Sequence, residues 1–434
     1  MAAHLNLKLE QIDIKGAYLN SELTPNEVIY RHQPPGYHAP NSGGQVAHLR
    51  KTLYGLKQSG HRWYQKLVDI LTKLGYTRSD VDQAVFFCHI DKALTIIVVH
   101  VDDCTIASTS KELVIELKAK VCEHVEITDL GKLHWLLGIE VKHDREAISI
   151  HMSQHSYIDS ILRRYNLKDS EPTSTPMDTQ LHLSSSQSPS ATQDYATMHD
   201  ISYREAVGSL MYASLSTRPD ILFAVTTLSH FSMNPGPIHW EAVKRVFRYL
   251  KGTKDLWLSF GGTRTELKGY ADADGSMAKD RHTMSGYAFL LDGGTISWSS
   301  KHQEIILLST TELEYVTATP AMKEAIWLQS LIGQPFSPLL KPTVLFPTIS
   351  LPPCSLRITS TMPVPSTSTS VSTSYNGLSK TALFVWSTAL PTTWLQTPSP
   401  RPSHPQRSNT LLPISDYVQF EGECWNTNWL ISHY

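Results

Sequence analysis

Apolar, β-branched residues are concentrated in short runs, the densest being Thr95-Ile96-Ile97-Val98-Val99, answered a few positions later by Thr105-Ile106-Ala107. Such runs read as buried strands. Asp102 and Asp103 lie between them, so the pattern predicts a hairpin carrying two adjacent carboxylates at its tip. Upstream, Leu9 to Leu19 predicts a shorter strand with a single aspartate, Asp13. A loop rich in Pro and Gly (Gln33-Pro34-Pro35-Gly36-Tyr37) follows, and Trp63, Leu67, Ile70 and Leu71 then recur at helical spacing. Lys111 to Val125 predicts a second helix and Leu136 to Val141 another strand. Helices alternating with strands point to an α/β sheet.

The pattern turns mostly helical from Ser153 to Phe260, with Tyr157-Ile158-Ile161-Leu162 and Trp240-Val243-Val246-Phe247-Leu250 on either side of a Ser/Thr/Pro-rich linker, Thr173 to Thr192. One predicted helical face gathers Lys244, Arg245, Arg248, Lys251 and Lys254, which reads either as a solvated face or as a rail for phosphates. Strands return from Leu267 (Gly269 to Asp274, Gly286 to Leu291, Ile296 to Trp298), and Ser309 is placed to cap a helix ahead of Thr311-Glu312. This predicts a second α/β block. Beyond Phe346, Pro, Ser and Thr dominate without periodicity, the composition of a disordered tail.

At 434 residues the chain has room for two to four domains, and Lys+Arg 38 against Asp+Glu 40 gives a net charge of -2. No global field draws it to a polyanion, so such a partner must be held by local basic patches. The 5 cysteines form no CxxC pair and no zinc-spaced cluster, which suggests a reduced, intracellular, zinc-free protein. No apolar run approaches bilayer length and no signal peptide is evident, so no membrane association is expected.

An Asp-Asp pair alone reads either as an Asx turn or as half of a cation site. Phosphoryl transfer by two metals needs carboxylates from separate strands, and Asp13, Asp102 and Asp103 fit that need. In order, Gln11-Ile12-Asp13-Ile14-Lys15-Gly16-Ala17-Tyr18-Leu19-Asn20, Leu53-Tyr54-Gly55-Leu56-Lys57-Gln58-Ser59 and His100-Val101-Asp102-Asp103 resemble the reverse-transcriptase blocks in the Pol region of copia-type LTR retrotransposons. The resemblance runs from Leu5 to Phe346, although His100 replaces the usual tyrosine and Ser59-Gly60-His61-Arg62 replaces a Ser-Pro-Arg run.

The resemblance implies an α/β (α+β) chain: a reverse-transcriptase palm over 1–165 with its fingers largely missing, a mostly helical thumb and connection over 166–262, the N-terminal part of a ribonuclease H-like domain over 263–346, and the tail over 347–434. It further implies an RNA-directed DNA polymerase. Asp13, Asp102 and Asp103 would be catalytic acids binding Mg²⁺ or Mn²⁺, Tyr18 the steric gate against a 2′-OH, and Gln58 part of the nucleotide pocket. Asp272 and Glu312 would be the first two metal-binding catalytic acids of the nuclease. RNA template, RNA/DNA hybrid and deoxynucleoside triphosphates would be the partners, in a cytoplasmic virus-like particle or the nucleus. Family members carry fingers segments and an integrase upstream, so Met1 is read as following an N-terminal truncation.

The tail has a second explanation. If Pro347 to Pro352 is encoded CCG ACA ATC AGT CTG CCA, reading from the first codon's final G gives Asp-Asn-Gln-Ser-Ala, which resembles the family motif after its Val-Leu-Phe strand. A one-base deletion near Phe346 would then put the rest out of frame, losing the nuclease's third acid at Thr348 and its fourth at Thr397. The sequence leaves two functions open: a polymerase fragment with a defective ribonuclease H, or a catalytically inactive relic of an element that binds nucleic acid weakly.

Overall fold

The computed structural model describes residues 1–37, 45–178, 180–189, 198–261, 266–274, 284–303, 310–336, 343–347, 354–358 and 383–386. The chain opens on β1 (Lys8–Ile14), the exposed pair β2 (Tyr30–His32) and β3 (Val46–His48), and helix α1 (Lys57–Lys73). Strands β4 (Thr77–Arg78), β5 (Val85–Ile90), β6 (Ala93–His100) and β7 (Asp103–Ser108), helix α2 (Lys111–Cys122) and β8 (Ile127–Lys132) follow. Six of these strands form one antiparallel sheet in the order β4-β5-β6-β7-β1-β8. The predicted hairpin is β6–β7, and β1 has inserted itself beside it.

Helical spacing explains what covers this sheet. Trp63, Leu67, Ile70 and Leu71 of α1 are all buried, as are Val114, Leu117 and Val121 of α2. Together with Ile12, Ile14, Phe86, Ile97 and Ile106 they make one core. Helix α1 ends in a Schellman turn, with Tyr76 N–H donating to the Leu71 carbonyl (3.0 Å) and Gly75 N–H to that of Thr72 (3.0 Å). Gly75 takes φ +87 to make that turn, a conformation that penalises a side chain. Ser110 caps α2 by accepting from the Leu113 N–H at 3.3 Å. Lys118, buried to 8% exposure, donates to Glu10 (2.5 Å) and Asp129 (2.6 Å) and so ties α2 to both β1 and β8.

A second sheet has the order β12-β11-β10-β9, from β9 (Trp135–Leu136), β10 (Ile139–Asp144), β11 (Ser149–Ser153) and β12 (Leu258–Gly261). Between β11 and β12 runs the helical region: α3 (His155–Arg164), α4 (Tyr203–Ser216), α5 (Leu222–Ser229) and α6 (Pro237–Gly252). Its core includes the expected Ile158, Ile161, Leu162, Val243, Val246, Phe247 and Leu250. Part of the expected linker does not hang free. Residues 170–178 lie as a strap along α6, where Thr173 N–H donates to the Arg248 carbonyl at 3.4 Å.

The third sheet has the order β15-β14-β13-β16-β17-β18. It comprises β13 (Lys268–Asp274), β14 (Met284–Leu291), β15 (Gly294–His302), β16 (Thr343–Pro347), β17 (Cys354–Ile358) and β18 (Leu383–Trp386), with helix α7 (Thr310–Phe336) between β15 and β16. The pair β13–β16 is parallel, and all other neighbours are antiparallel. Within the segment read as a structureless tail, Cys354–Ile358 and Leu383–Trp386 are therefore strands, while Thr348, Thr397 and most of the rest lie outside the described residues. The third sheet docks on the earlier elements: the Trp298 indole N–H donates to the Ser214 carbonyl (2.8 Å), and the Ser79 hydroxyl to the Gln334 side chain (2.6 Å). Among the described residues no helix is long and apolar enough to cross a membrane.

Candidate active site

The register of β1 against β7 sets Asp13 directly opposite Asp103. One step outward, the Ile14 N–H donates to the Asp102 carbonyl at 2.9 Å. The Asp13–Asp103 pair is thus of the non-hydrogen-bonded kind, in which opposed side chains come closest. Asp102 occupies the two-residue turn with Val101, between His100 and Asp103, which pair with each other. Val101 has φ 57, a left-handed conformation that a β-branched residue adopts only under constraint. The constraint is visible: the buried Trp63 of α1 donates its indole N–H to the Val101 carbonyl at 2.6 Å. Residues from three distant segments therefore fix one acidic turn.

Carboxylates crowded together repel by about 1–4 kcal/mol per pair at 4 Å, depending on screening. Partial burial, together with the charges of Asp102 and Asp103, holds the Asp13 carboxyl above the ordinary carboxylate range. Beneath the turn, burial and the same three acids push the Cys104 thiol up to about 12, leaving it an inert core group. The buried Gln11 donates its side-chain amide to Asp103 Oδ1 at 3.2 Å. As the side chains stand, no group of three or more His, Cys, Asp or Glu among the described residues is gathered closely enough to hold a metal ion. The donor set nonetheless suits a hard divalent cation in its chemistry: oxygen ligands only, mutually repelling, with Asp13 destabilised as an anion.

The rim is aromatic. Gly16, at φ +56, turns the chain from β1 into a short 3-10 helix, Ala17–Asn20, which carries the half-buried Tyr18. The Thr52 hydroxyl donates to the Tyr18 carbonyl, and the Tyr18 ring packs on that of Tyr54, with centroids 4.8 Å apart. A Cβ on Gly60 would lie 4.0 Å from the Tyr18 hydroxyl, so the first turns of α1, where half-buried Gln58 also sits, flank the same ring. The structure therefore brings Asp13, Asp102, Asp103 and Tyr18 into one neighbourhood with the start of α1. Sequence reading gave Trp63 only a core role and missed Gln11 and Tyr54 as site residues. Gln11 shares a strand face with Asp13, the one local signal available for it.

The other expected acids are less assembled. Asp272 is exposed on β13, and its Oδ1 accepts from the Ala273 N–H at 2.8 Å. Glu312 falls within α7, but its side chain lies outside the described residues, as does the expected cap Ser309. The basic face of α6 is not a free rail. Arg245 donates to the Thr175 carbonyl (3.3 Å), the Thr175 hydroxyl (2.9 Å) and Asp178 (3.4 Å), and Arg248 to the Glu171 carbonyl (2.5 Å). Lys251 donates to the Ser170 carbonyl (2.6 Å), Lys254 to Asp159 (3.2 Å) and Lys244 to Glu241 (2.5 Å).

Comparison with known proteins identifies the family. Residues 1–179 match the family model for reverse transcriptase (RNA-dependent DNA polymerase). The chain is 41% identical over 338 residues to a retrovirus-related Pol polyprotein from transposon TNT 1-94 of Nicotiana tabacum, covering 77% of this chain and 25% of that one. It is 35% identical over 341 residues to the corresponding polyprotein from transposon RE1 of Arabidopsis thaliana, covering 78% of this chain and 22% of that one. A putative transposon Ty5-1 protein of Saccharomyces cerevisiae is 32% identical over 317 residues, 72% of this chain and 100% of that protein. The chain spans about a quarter of the length of the two polyproteins. By these matches, and by the order of its motifs, the chain belongs to the retrotransposon Pol polyproteins and carries their reverse-transcriptase domain.

Proposed function

We propose that this chain is a polymerase fragment that extends a primer on an RNA template, with the β6–β7 turn and the adjoining end of β1 as its catalytic centre. The observation that carries the reading is the placement of Asp13 opposite Asp103, next to Asp102 on a turn that the Trp63 N–H pins. Asp13, Asp102 and Asp103 would hold Mg²⁺ or Mn²⁺. The bound cation would supply positive charge against the attacking and leaving oxygens of an in-line phosphoryl transfer. The chain's own contributions are positional. The strand pair β1–β7 sets the carboxylates, Gln11 orients Asp103, and the Tyr18 ring limits space beneath the sugar, which favours a deoxynucleotide. Gln58, in the first turn of α1, lines the nucleotide side of the site.

In this reading the first sheet with its two helices is the palm, the helical region is the thumb and connection, and the third sheet is ribonuclease H-like. The parallel β13–β16 pair with α7 between its strands supports that last assignment. Asp272 and Glu312 would be its first acids. The position after β16 holds Thr348 rather than a carboxylate, so nuclease turnover is expected to be defective.

The test is primer extension on poly(rA)/oligo(dT) with Mg²⁺ or Mn²⁺, alongside an Asp102→Asn control. Incorporation lost in the control supports the reading. Incorporation no greater than the control means an inactive relic, and the polymerase assignment falls.

A further inference from the structure

Within the Leu53–Ser59 motif stands a ring, Tyr54, to which neither the motif reading nor the family assignment gives a role. Tyr54 lies 55% exposed, yet the backbone on both sides of it is held. On one side Thr52 is completely buried, its N–H donating to the Ser21 carbonyl (3.0 Å) and its hydroxyl to the Tyr18 carbonyl. On the other side the Leu53 carbonyl accepts from the buried Ser59 hydroxyl (2.6 Å) and the Leu56 N–H (3.3 Å). Gly55, at φ +92, turns the chain away directly after the ring. The ring is therefore carried on an anchored backbone while much of its surface stays open.

The ring also has a defined neighbour. It packs on Tyr18 with centroids 4.8 Å apart and 56° between planes. Partial burial and the negative charges of Asp102 and Asp13 are felt at its hydroxyl, together with Tyr18 itself, raising the phenol above its ordinary value. The ring therefore stands within electrostatic reach of the carboxylate turn, on the side where Tyr18 lies. A group with a flat π-face and attached phosphates, placed with its phosphates at the acids, would bring that face to Tyr54.

We propose that Tyr54 is a substrate-contacting wall of the site, on which the base and sugar of the incoming nucleoside triphosphate pack, and that its contact with Tyr18 sets the rigidity of that second ring. The inference rests on the polymerase reading above and adds a nucleotide-binding residue to it. It makes Tyr54 important for the ring and not for the hydroxyl. Removing the ring also frees the edge of Tyr18 and widens the space for a ribose.

Primer extension with Tyr54→Ala and Tyr54→Phe tests this, since the side chain is largely exposed and neither change should alter the thermal melt. Loss of base stacking predicts a KM for the deoxynucleotide raised about ten-fold in Tyr54→Ala, with kcat and primer–template affinity within about two-fold and weaker discrimination against ribonucleotides. Tyr54→Phe should match the unaltered chain. A KM unchanged in Tyr54→Ala, or a loss confined to primer–template affinity, overturns the proposal while leaving the polymerase reading intact, because Asp102→Asn still abolishes extension. Nucleotide binding to the chain on a dideoxy-terminated primer–template gives a readout that needs no turnover. If the unaltered chain neither extends a primer nor binds nucleotide there, both readings fall together.

Discussion

Two charged regions of this molecule look alike in sequence and differ in what the fold does with them. The basic residues of α6, and Lys254 just beyond its end, each find an acceptor within the chain: Arg245, Arg248 and Lys251 on the 170–178 strap, Lys254 on Asp159, Lys244 on Glu241. The acids at the β6–β7 turn and the facing end of β1 are set against one another, and the neutral Gln11 amide is offered to Asp103. A charge cluster matched by its own chain is a structural device. One left mutually repelling on a rigid backbone stores an unfavourable interaction that a cation relieves. The comparison makes the acids, and not the helix, the place where the proposed cation would bind.

The sharpest way to break that contrast is Asp103→Asn. If the turn is the catalytic centre, extension should fall by roughly a thousand-fold or more, the several kcal/mol that a correctly held cation supplies. Trp63→Phe keeps most of the packing but leaves the Val101 carbonyl without its donor. It should cost about 1–3 kcal/mol in denaturant unfolding, and kcat should fall about ten-fold with the deoxynucleotide KM unchanged, because the acids and not the nucleotide wall have moved.

Acidification separates the two kinds of charge by sign. The Asp13 carboxyl sits above its ordinary 3.8, so on acidification the folded, metal-free chain takes up that proton before the unfolded chain, and this group adds stability as pH falls through that window. The Arg62 guanidinium and the Thr24 backbone N–H beside Glu27 hold its carboxyl down to about 2, so its contribution is lost as pH falls from 4.5 towards 2. Asp13→Asn should therefore raise the melting temperature of the metal-free protein near neutrality by a few degrees and abolish any further gain from Mg²⁺. Glu27→Gln should instead flatten the loss of stability in acid. The smallest effect is expected on α6: replacing Lys244, Arg245 and Arg248 together by Gln should change primer–template affinity by less than about two-fold. A drop of ten-fold or more would mean the strap lifts and the helix is a phosphate rail after all.

What sequence could and could not reveal follows the range of the interactions. The hairpin around Asp102 and Asp103 and the buried stripe of α1 were legible because alternation and helical spacing are local patterns. Ile127–Lys132, where Asp129, Gly131 and Lys132 follow just two β-branched residues, gave no strand signal, and its pairing with β1 is decided by tertiary contact. The resemblance of the motifs identified Asp13, but not that Gln11, two residues before it, would reach Asp103 across the sheet. Trp63 read as core because its spacing is a core spacing, and its hydrogen bond to Val101 has no sequence signature. The α6 face was ambiguous for the same reason: a row of Lys and Arg looks identical whether phosphates or the chain's own carbonyls complete it.

The pairing of β11 with β12 carries an evolutionary consequence. Ser149–Ser153 and Leu258–Gly261 are neighbours in one sheet, so everything from α3 to α6 is, topologically, a very long hairpin loop that leaves a strand and returns beside it. Loop-closure entropy grows only with the logarithm of loop length, so such an excursion costs the sheet about 3 kcal/mol more than a short turn would, which the packing within the excursion must offset. A folded unit whose two ends emerge side by side is a transferable cassette. Exchanging it as one piece would leave the chain path of the two framing strands, and the acidic turn in its separate sheet, unchanged.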